Sequence, residues 1–136
     1  MKGLYKKLFE IQGMSLRFEK SADNPFFHSK YLPLEDLQAK LNPTLQEKGL
    51  LVVHALQSGH VVTAVIDTED DQKIESMFPI QAGIDPQKVG SAITYGKRYN
   101  LGALFNIITD EDDDANTTQP QKKAAPKITS NDDIPF

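Results

Sequence analysis

Rings, hydroxyls and cations are concentrated in one short stretch of the sequence, ITYGKRYNLG at residues 93–102. On a helical wheel of about 100° per residue, its two tyrosines separate. Tyr95 falls on a polar side whose members follow i, i+3, i+4, i+7 spacing: Ser91, Thr94, Tyr95 and Arg98. Tyr99 falls on the opposite, mostly apolar side with Val89, Ala92, Ile93, Gly96, Ala103 and Leu104. The pattern predicts Tyr99 in the core and Lys97 on the flank.

The polar side has the chemistry of a nucleic-acid interface. An arginine pairs with a phosphate through two parallel hydrogen bonds, and hydroxyls donate to phosphate oxygens. A tyrosine ring can stack on an unpaired base, which contributes about 1–3 kcal/mol. The alternative interpretation is a solvated helix face, and the wheel alone leaves both open. Because Leu101 and Phe105 continue the polar side, part of it is expected to be buried.

More cations and one more ring extend the candidate site. Lys88 opens the same helical stretch, and Lys30 directly precedes Tyr31 in a stretch rich in turn residues. The predicted DNA contacts are therefore Arg98, Lys97, Tyr95, Thr94, Ser91, Lys88, Lys30 and Tyr31. An N-terminal basic stripe, interpreted by default as solvated, adds Lys2, Lys6, Lys7, Arg17 and Lys20.

The composition argues against several other classes of function. The chain contains no cysteine, so disulfides and thiolate metal sites are excluded. The three histidines lack the spacing of metal ligands. The run DEDDD at residues 110–114 lacks the glycine and terminal glutamate of a calcium loop. We therefore expect no metal, no cofactor and no enzymatic activity, with a metal-dependent nuclease that uses this run as the alternative.

The charge divides the chain into two regions. The sequence has 15 basic and 19 acidic residues, of which three lysines and seven acids lie from Asp110 onward. Residues 1–109 are therefore neutral, and residues 110–136 carry the net charge of −4. The second region offers little to bury and is predicted to be a disordered acidic tail. With no apolar run near the ~18 residues of a membrane span, we expect a cytoplasmic protein.

Residues 1–109 are patterned as one small α+β domain. A helical stripe crosses residues 2–20, and a second runs from Leu34 toward Gly49 with a kink or break at Pro43. Two β-branched runs meet at Ser58-Gly59, as in a tight hairpin, and a third strand follows. Asp85-Pro86 is typical of a helix start. The order is α-α-β-β-β-α, and apolar residues on both faces of the sheet predict a helix on one side and a neighbouring subunit on the other.

Two stretches resemble the ERF family of phage single-strand annealing proteins. QKVGSAITYGKRYNLGALFNIITDEDDD matches the family's helix, its hydrophobic segment and its acidic cluster, and KYLPLEDLQAKLNPTLQEKGLLV matches the upstream helix and strand. The matching positions of the first stretch are Gly90, Ser91, Ala92, Thr94, Tyr95, Arg98, Tyr99, Leu101 and Asp112 to Asp114. The sequence departs from the family pattern at Ile93, where a more polar residue is expected, and at Gly96, where alanine is commoner.

The resemblance implies a function in phage recombination. Members anneal complementary single strands without ATP, as rings or helical filaments that hold DNA in a basic groove with its bases exposed. Their helix-and-three-strand core is similar to that of the eukaryotic annealing mediators. The absence of a G-x-x-x-x-G-K-[ST] loop from the sequence agrees with an ATP-independent reaction.

The last six residues, NDDIPF, resemble the acidic tip of bacterial single-stranded DNA-binding proteins, which docks on replication and repair enzymes. Carboxylates would face basic residues, and two apolar side chains would fill a pocket: the residues are Asp132, Asp133, Ile134, Pro135 and Phe136. Two alternatives follow. One is a protective single-strand binder, although such proteins are five-stranded barrels and only three strands are predicted here. The other is an adaptor that presents this tip and binds no DNA.

Overall fold

A computed structural model of the chain describes residues 3–14, 22–23 and 30–110. Its elements follow the predicted α-α-β-β-β-α order, with two additional strands of two residues each. In chain order they are α1 (Leu4–Gly13), β1 (Ala22–Asp23), β2 (Lys30–Tyr31), α2 (Leu34–Lys48), β3 (Leu50–Gln57), β4 (His60–Asp67), β5 (Lys73–Pro79) and α3 (Pro86–Phe105). The predicted α+β class is confirmed.

The three main strands form an antiparallel sheet in the order β3-β4-β5. β3 and β4 are joined at Ser58 and Gly59, whose φ angles of 49° and 75° match a turn with two left-handed residues. β5 alternates as predicted, with Ile74 and Phe78 partly buried on one side and Lys73 and Met77 exposed on the other. The hairpin and the third strand are thus confirmed.

All three helices cover one face of this sheet. Their apolar stripes meet the inner face of β3 and β4 in one core, made of Leu4, Leu8, Ile11, Leu32, Leu37, Leu41, Leu45, Leu50, Val65, Leu101, Leu104 and Phe105. Asn100 fixes α3 to the central strand, because its buried amide donates to Val61 O and to Thr63 Oγ1, each at 3.0 Å. On the outer face of the sheet Leu51, Val53 and Met77 are exposed.

The predicted ends of two helices are confirmed. α2 ends at Gly49 in the left-handed conformation (φ 71°), and the glycine N–H reaches the carbonyls of Leu45 and Gln46. Asp85 caps α3 by accepting a hydrogen bond from the Lys88 N–H at 3.0 Å, and Pro86 takes the first helical position.

Other local predictions need correction. α1 spans Leu4–Gly13, so the first predicted stripe is helical as far as Gly13. Of the two alternatives predicted at Pro43, the break is wrong: α2 continues through this residue, because Pro43 and Ala39 both lie on its exposed side, where water can bind the Ala39 carbonyl that has lost its helical partner. The stretch rich in turn residues that includes Lys30 and Tyr31 contains the antiparallel pair β1–β2.

The remaining predictions lie outside the described residues. They concern Lys2, Arg17 and Lys20 of the basic stripe, the end of the first helical stripe, the disorder of residues 111–136 and the NDDIPF tip. Within the described ranges, no helix has both the length and the apolar character that crossing a membrane requires.

Candidate functional site

A groove of about 810 Å³ opens between the first turns of α2 and the N-terminal half of α3. It is lined by Tyr31, Pro33, Leu34, Glu35, Gln38, Gln87, Gly90, Ser91, Thr94, Tyr95 and Arg98. Five of the predicted contacts therefore come together in one place: the polar side of α3 and, from β2, Tyr31. The helical wheel predicted the first four correctly as neighbours, and the fold adds Tyr31.

Arg98 is the most buried of these residues, at only 4% exposure. Its guanidinium lies against three rings, with Cζ 4.3 Å from the centroid of Tyr31, 4.9 Å from that of Tyr95 and 5.4 Å from that of Tyr99. Its Nη2 forms an ion pair with Asp110 Oδ2 at 3.3 Å. Its Nε is buried and has no hydrogen-bond partner among the described residues. Arg98 therefore lies in the wall of the groove, surrounded by aromatic rings, with one guanidinium nitrogen in an ion pair and its Nε without a hydrogen-bond partner among the described residues.

Asp110 reaches Arg98 because the chain turns back after α3. Asp110 forms an isolated antiparallel bridge with Tyr31, and the Leu32 N–H donates to Thr109 O at 2.7 Å. The Thr109 hydroxyl donates to Asp110 Oδ1 at 2.9 Å. Asp110 therefore belongs to the folded domain and not to the predicted acidic tail. Its pairing with Arg98 carries no sequence signal, because it depends on this return of the chain.

The two tyrosines of α3 do not separate as predicted. Tyr95 is 38% exposed and Tyr99 is 36% exposed, and the Tyr95 hydroxyl donates to the Tyr99 hydroxyl oxygen at 3.2 Å. Phe78 of β5 packs edge-on against Tyr95 and stacks on Tyr99, with centroids 5.6 and 5.7 Å apart. Tyr99 therefore belongs to the rim of the site and not to the core.

Tyr99 lies outside the core because α3 approaches the sheet closely. A Cβ on Gly96 would lie 3.1 Å from both Phe78 Cδ2 and Val61 Cγ2. With the helix axis so near the strands, the space at Tyr99 is too shallow for a ring, which turns toward Tyr95 one helical turn away. Partial burial, followed by the hydrogen bond from Tyr95, raises the pKa of Tyr99 well above its usual value, so the Tyr99 hydroxyl is neutral near pH 7.

The hydroxyls of the groove differ in how free they are. Thr94 Oγ1 donates back to the carbonyl of Gly90 at 3.3 Å, a common use of threonine inside a helix. Ser91 lies exposed one turn from the start of α3. Both residues remain at the surface of the groove, where their oxygens can accept further hydrogen bonds.

The three predicted lysines do not line the groove. Lys30 is exposed on β2, and Lys88 is exposed in the first turn of α3. Lys97 is half-buried on another side of α3, near His54 of β3. Burial, and then the charge of Lys97, lowers the pKa of that histidine below its ordinary value. None of the three therefore adds a cation to the lining of the groove.

Three polar residues of the groove were missed from the sequence. Gln87 precedes Ser91, Thr94 and Arg98 by 4, 7 and 11 positions, so extending the helical spacing toward the N-terminus would have found it. Glu35 and Gln38 sit one turn apart at the start of α2. Only the packing of α2 against α3 brings them to the groove, and no spacing in the sequence indicates it.

The described residues contain no group of three histidine, aspartate or glutamate side chains arranged to hold a metal ion. The pairing of β3 with β4 places His54 opposite Thr63 and His60 opposite Gln57. His54 Nδ1 lies 2.8 Å from Thr63 Oγ1, so this histidine links β3 to β4.

The fold and the groove define a small helix-on-sheet domain with an aromatic and hydroxyl-lined cleft. Comparison with known families identifies it: the chain belongs to the ERF superfamily, whose family model matches residues 4–134. The predicted family resemblance is confirmed. The chain is also 29% identical, over 137 aligned positions, to the essential recombination function protein of Salmonella phage P22. That alignment covers 92% of this chain and 65% of the relative. No solved structure matches the chain.

Proposed function

We propose that this chain binds single-stranded DNA and anneals complementary strands without ATP, as an oligomer acting in phage recombination in the host cytoplasm. Family membership and the name of the P22 relative support the setting. The observation that carries the proposal is the groove that brings Tyr31, Ser91, Tyr95 and Arg98 together. The proposal assigns no catalytic residue.

The exposed rings favour single-stranded over double-stranded DNA. Tyr95 and Tyr99 are each more than one-third exposed and rest on Phe78, which holds them in place. In a duplex the faces of the bases are stacked on one another, whereas an unpaired base can lie on such a ring. The serine and threonine hydroxyls at the same surface suit contacts to the sugar-phosphate backbone.

The outer face of the sheet supports the oligomeric part of the proposal. Its exposed Leu51, Val53 and Met77 lie on the side away from the groove. Apolar patches of this kind often mark contacts between proteins. Subunits that associate through this face would leave every groove open to DNA.

The test follows the pairing of two complementary oligonucleotides, one carrying a donor dye and the other an acceptor, with ATP omitted. We expect the wild-type protein to accelerate pairing and Tyr95→Ala to lose most of that acceleration, because the stacking surface is removed. Tyr95→Phe retains the ring and should behave as the wild type. Tyr5→Ala is the matched control, because Tyr5 is 68% exposed on α1 and outside the groove.

Each outcome distinguishes a different function. Binding without faster pairing would replace annealing by a protective single-strand binder. An equal loss of activity in Tyr5→Ala and Tyr95→Ala would show that strand pairing does not depend on the groove. Absence of DNA binding would leave the adaptor as the remaining function.

The adaptor function rests on the NDDIPF tip and does not exclude annealing. We propose that Phe136 and Ile134 enter an apolar pocket while Asp132 and Asp133 face basic side chains on a host replication or repair enzyme. A labelled NDDIPF peptide should bind the enzymes that recognise the tip of bacterial single-stranded DNA-binding proteins, as measured by fluorescence anisotropy. Replacing Phe136 with alanine should abolish that binding, and equal binding by both peptides would contradict the proposal.

A further inference from the structure

Arg98 carries two hydrogen-bond donors along one edge of its guanidinium, and only one of them has a partner. Nε and Nη2 point the same way in the guanidinium plane, as the fork that binds a carboxylate or a phosphate through two parallel bonds. Nη2 pairs with Asp110 Oδ2 at 3.3 Å, whereas Nε is buried without a hydrogen-bond partner among the described residues. Because a buried donor without an acceptor is unfavourable, this edge would gain from an acceptor that reaches both nitrogens.

Asp110 directs only one of its two carboxylate oxygens to Arg98. The other oxygen, Oδ1, accepts a hydrogen bond from the Thr109 hydroxyl at 2.9 Å. The distance of 3.3 Å between Nη2 and Oδ2 is also longer than the roughly 2.7–2.9 Å of a good charge-assisted bond. Asp110 is therefore a weak partner, although its charge keeps the guanidinium from being buried as an unpaired cation.

The two partners of this ion pair differ in how easily they can move. The Arg98 side chain is buried, and the rings of Tyr31 and Tyr95 lie 4.3 and 4.9 Å from its Cζ. The Asp110 side chain is partly exposed, so its carboxylate can turn into water without loss of hydration. Arg98 also lines the groove and is the one cation of that lining. A phosphate in the groove would thus meet a guanidinium whose orientation is already fixed.

We propose that Arg98 binds one DNA phosphate through Nε and Nη2, and that Asp110 occupies this edge in the free protein and is displaced when DNA binds. The inference rests on the proposed binding of single-stranded DNA. A phosphate has oxygens for both donors and satisfies the Nε that Asp110 leaves unpaired. The backbone is then the innermost part of the strand, and the bases point away from Arg98, where a complementary strand can pair with them. Asp110 thereby lowers the affinity for DNA while it stabilises the free protein.

Asp110→Asn distinguishes displacement from a positioning role, because the two predict opposite changes in affinity. If Asp110 competes with a phosphate, an uncharged amide competes less, and DNA binding should strengthen although the folded protein loses an ion pair. If Asp110 only positions Arg98, the variant should lose both stability and affinity. Glu35→Gln is the matched control, because Glu35 lines the same groove but forms no ion pair with Arg98 among the described residues.

The first experiment measures the affinity of the full chain for a labelled oligo(dT) of about 16 nucleotides, by fluorescence anisotropy at one fixed salt concentration. We expect Asp110→Asn to bind about fivefold more tightly than wild type, the effect of one ion pair. Glu35→Gln should gain less, because it removes repulsion but releases no donor. Weaker binding by Asp110→Asn would assign a positioning role to Asp110, and equal gains in both variants would show general repulsion. Either result would overturn the displacement.

The second experiment observes Arg98 directly in the wild-type chain, whose two arginines are Arg17 and Arg98. Isotope-labelled arginine gives one Nε–H signal for each in a nuclear magnetic resonance spectrum, and Arg17→Lys assigns them. We expect oligo(dT) to move the Arg98 signal downfield, because an N–H without a partner gains an acceptor. An unchanged Arg98 signal in protein saturated with DNA would overturn the inference while leaving DNA binding intact. No binding of oligo(dT) by wild type or Asp110→Asn would overturn the proposed function and the inference with it.

Discussion

At the scale of single residues, Arg98 holds together parts of the chain that are distant in sequence. Its guanidinium contacts Tyr31 of β2, two tyrosines of α3 and Asp110 after α3. Burying a cation is unfavourable unless partners compensate for the lost water, and here rings and one carboxylate do so. Removing the whole side chain would leave a cavity and an unpaired Asp110. A loss of DNA binding in Arg98→Ala would therefore not separate recognition from folding.

Arg98→Lys tests this structural role while keeping the charge. A lysine lacks the planar surface that stacks on rings and the fork that spans two acceptors. We expect the free energy of unfolding to fall by about 1–2 kcal/mol, the size of a desolvated cation–π contact, as measured by urea denaturation. Lys88→Arg, an exposed cation exchange on the same helix, should be neutral. Unchanged stability in Arg98→Lys would mean that the charge alone suffices.

Lys7 shows why a basic stripe cannot be inferred from lysines alone. Lys7 Nζ lies 2.8 Å from Asp67 Oδ1 and 3.4 Å from Glu69 Oε1, so it joins α1 to the end of β4. The Asp67 side chain is fully buried, and Oδ1 also accepts from the Glu69 N–H. The hydrogen bond from Lys7, and then the one from the Glu69 backbone, lowers the pKa of Asp67 below its ordinary value. Lys7 is therefore a structural residue and not part of a DNA-binding stripe.

The lowered pKa of Asp67 predicts a pH dependence. Because the folded pKa lies below the unfolded value of about 3.9, ionised Asp67 stabilises the fold above that value, and this contribution is lost as the pH falls toward the folded pKa. Asp67→Asn should be less stable than wild type at pH 7, and the difference should shrink below about pH 4. Urea titrations across this range measure it. Glu47→Gln, an exposed acid on α2, should differ little from wild type, and a constant difference for Asp67→Asn would contradict the argument.

At the scale of elements, the glycines of α3 have different surroundings. A Cβ on Gly102 would lie 2.9 Å from the carbonyl oxygen of Ile107 and 3.0 Å from Thr109 Cγ2. The backbone at Thr109 is held by its hydrogen bond from Leu32 and cannot easily move away. A Cβ on Gly90 would meet nothing within 4 Å. The two positions therefore form a matched pair on one helix.

Gly102→Ala should lower the free energy of unfolding by about 1–3 kcal/mol, the usual effect of overpacking. Gly90→Ala should raise it by up to about 1 kcal/mol, because alanine is the better helix former. Urea midpoints of the two variants provide the measurement. Stabilisation in both would show that the segment after α3 packs more loosely than these distances indicate.

Elements with local signals were predictable from the sequence. Ser58-Gly59, Gly49 and Asp85-Pro86 each specify a turn or a helix end through their own backbone preferences. The continuity of α2 was not predictable, because it depends on which side of the helix faces water at Pro43. Tyr99 was misassigned for a related reason. A wheel gives directions around a helix, whereas the depth at each direction depends on how close Gly96 lets α3 approach the sheet.

The residues of the candidate site likewise fall into those that the sequence could predict and those that it could not. Ser91, Thr94, Tyr95 and Arg98 share one helix, so their spacing predicted that they lie together. Tyr31 was predicted as a contact from its own stretch of sequence, and only packing places it beside Arg98. Glu35 and Asp110 required the tertiary structure, since each reaches the site from another element. The two carboxylates were thus missing from the sequence-based site, and together they leave the groove, whose lining has Arg98 as its one cation, without a net positive charge.

At the scale of the whole molecule, the groove and the exposed apolar side chains of the sheet lie on opposite sides. The groove lies among α2, α3 and β2, whereas the exposed Leu51, Val53 and Met77 lie on the opposite face of the sheet. β3 and β5 are both edge strands of this sheet. An assembly that covers the outer face would bury this apolar surface. Such an assembly is compatible with DNA in every groove.

Met77→Lys tests this arrangement. Met77 is 63% exposed on β5, so a lysine there should be accepted by the monomer but disfavoured inside an apolar contact between subunits. We expect the mass measured by light scattering to fall while circular dichroism is unchanged. Phe9→Lys on α1 is the matched control, because Phe9 is 67% exposed and belongs to the helix layer. If Phe9→Lys lowers the mass and Met77→Lys does not, the contact between subunits lies on the helix side and would have to accommodate DNA on the same face.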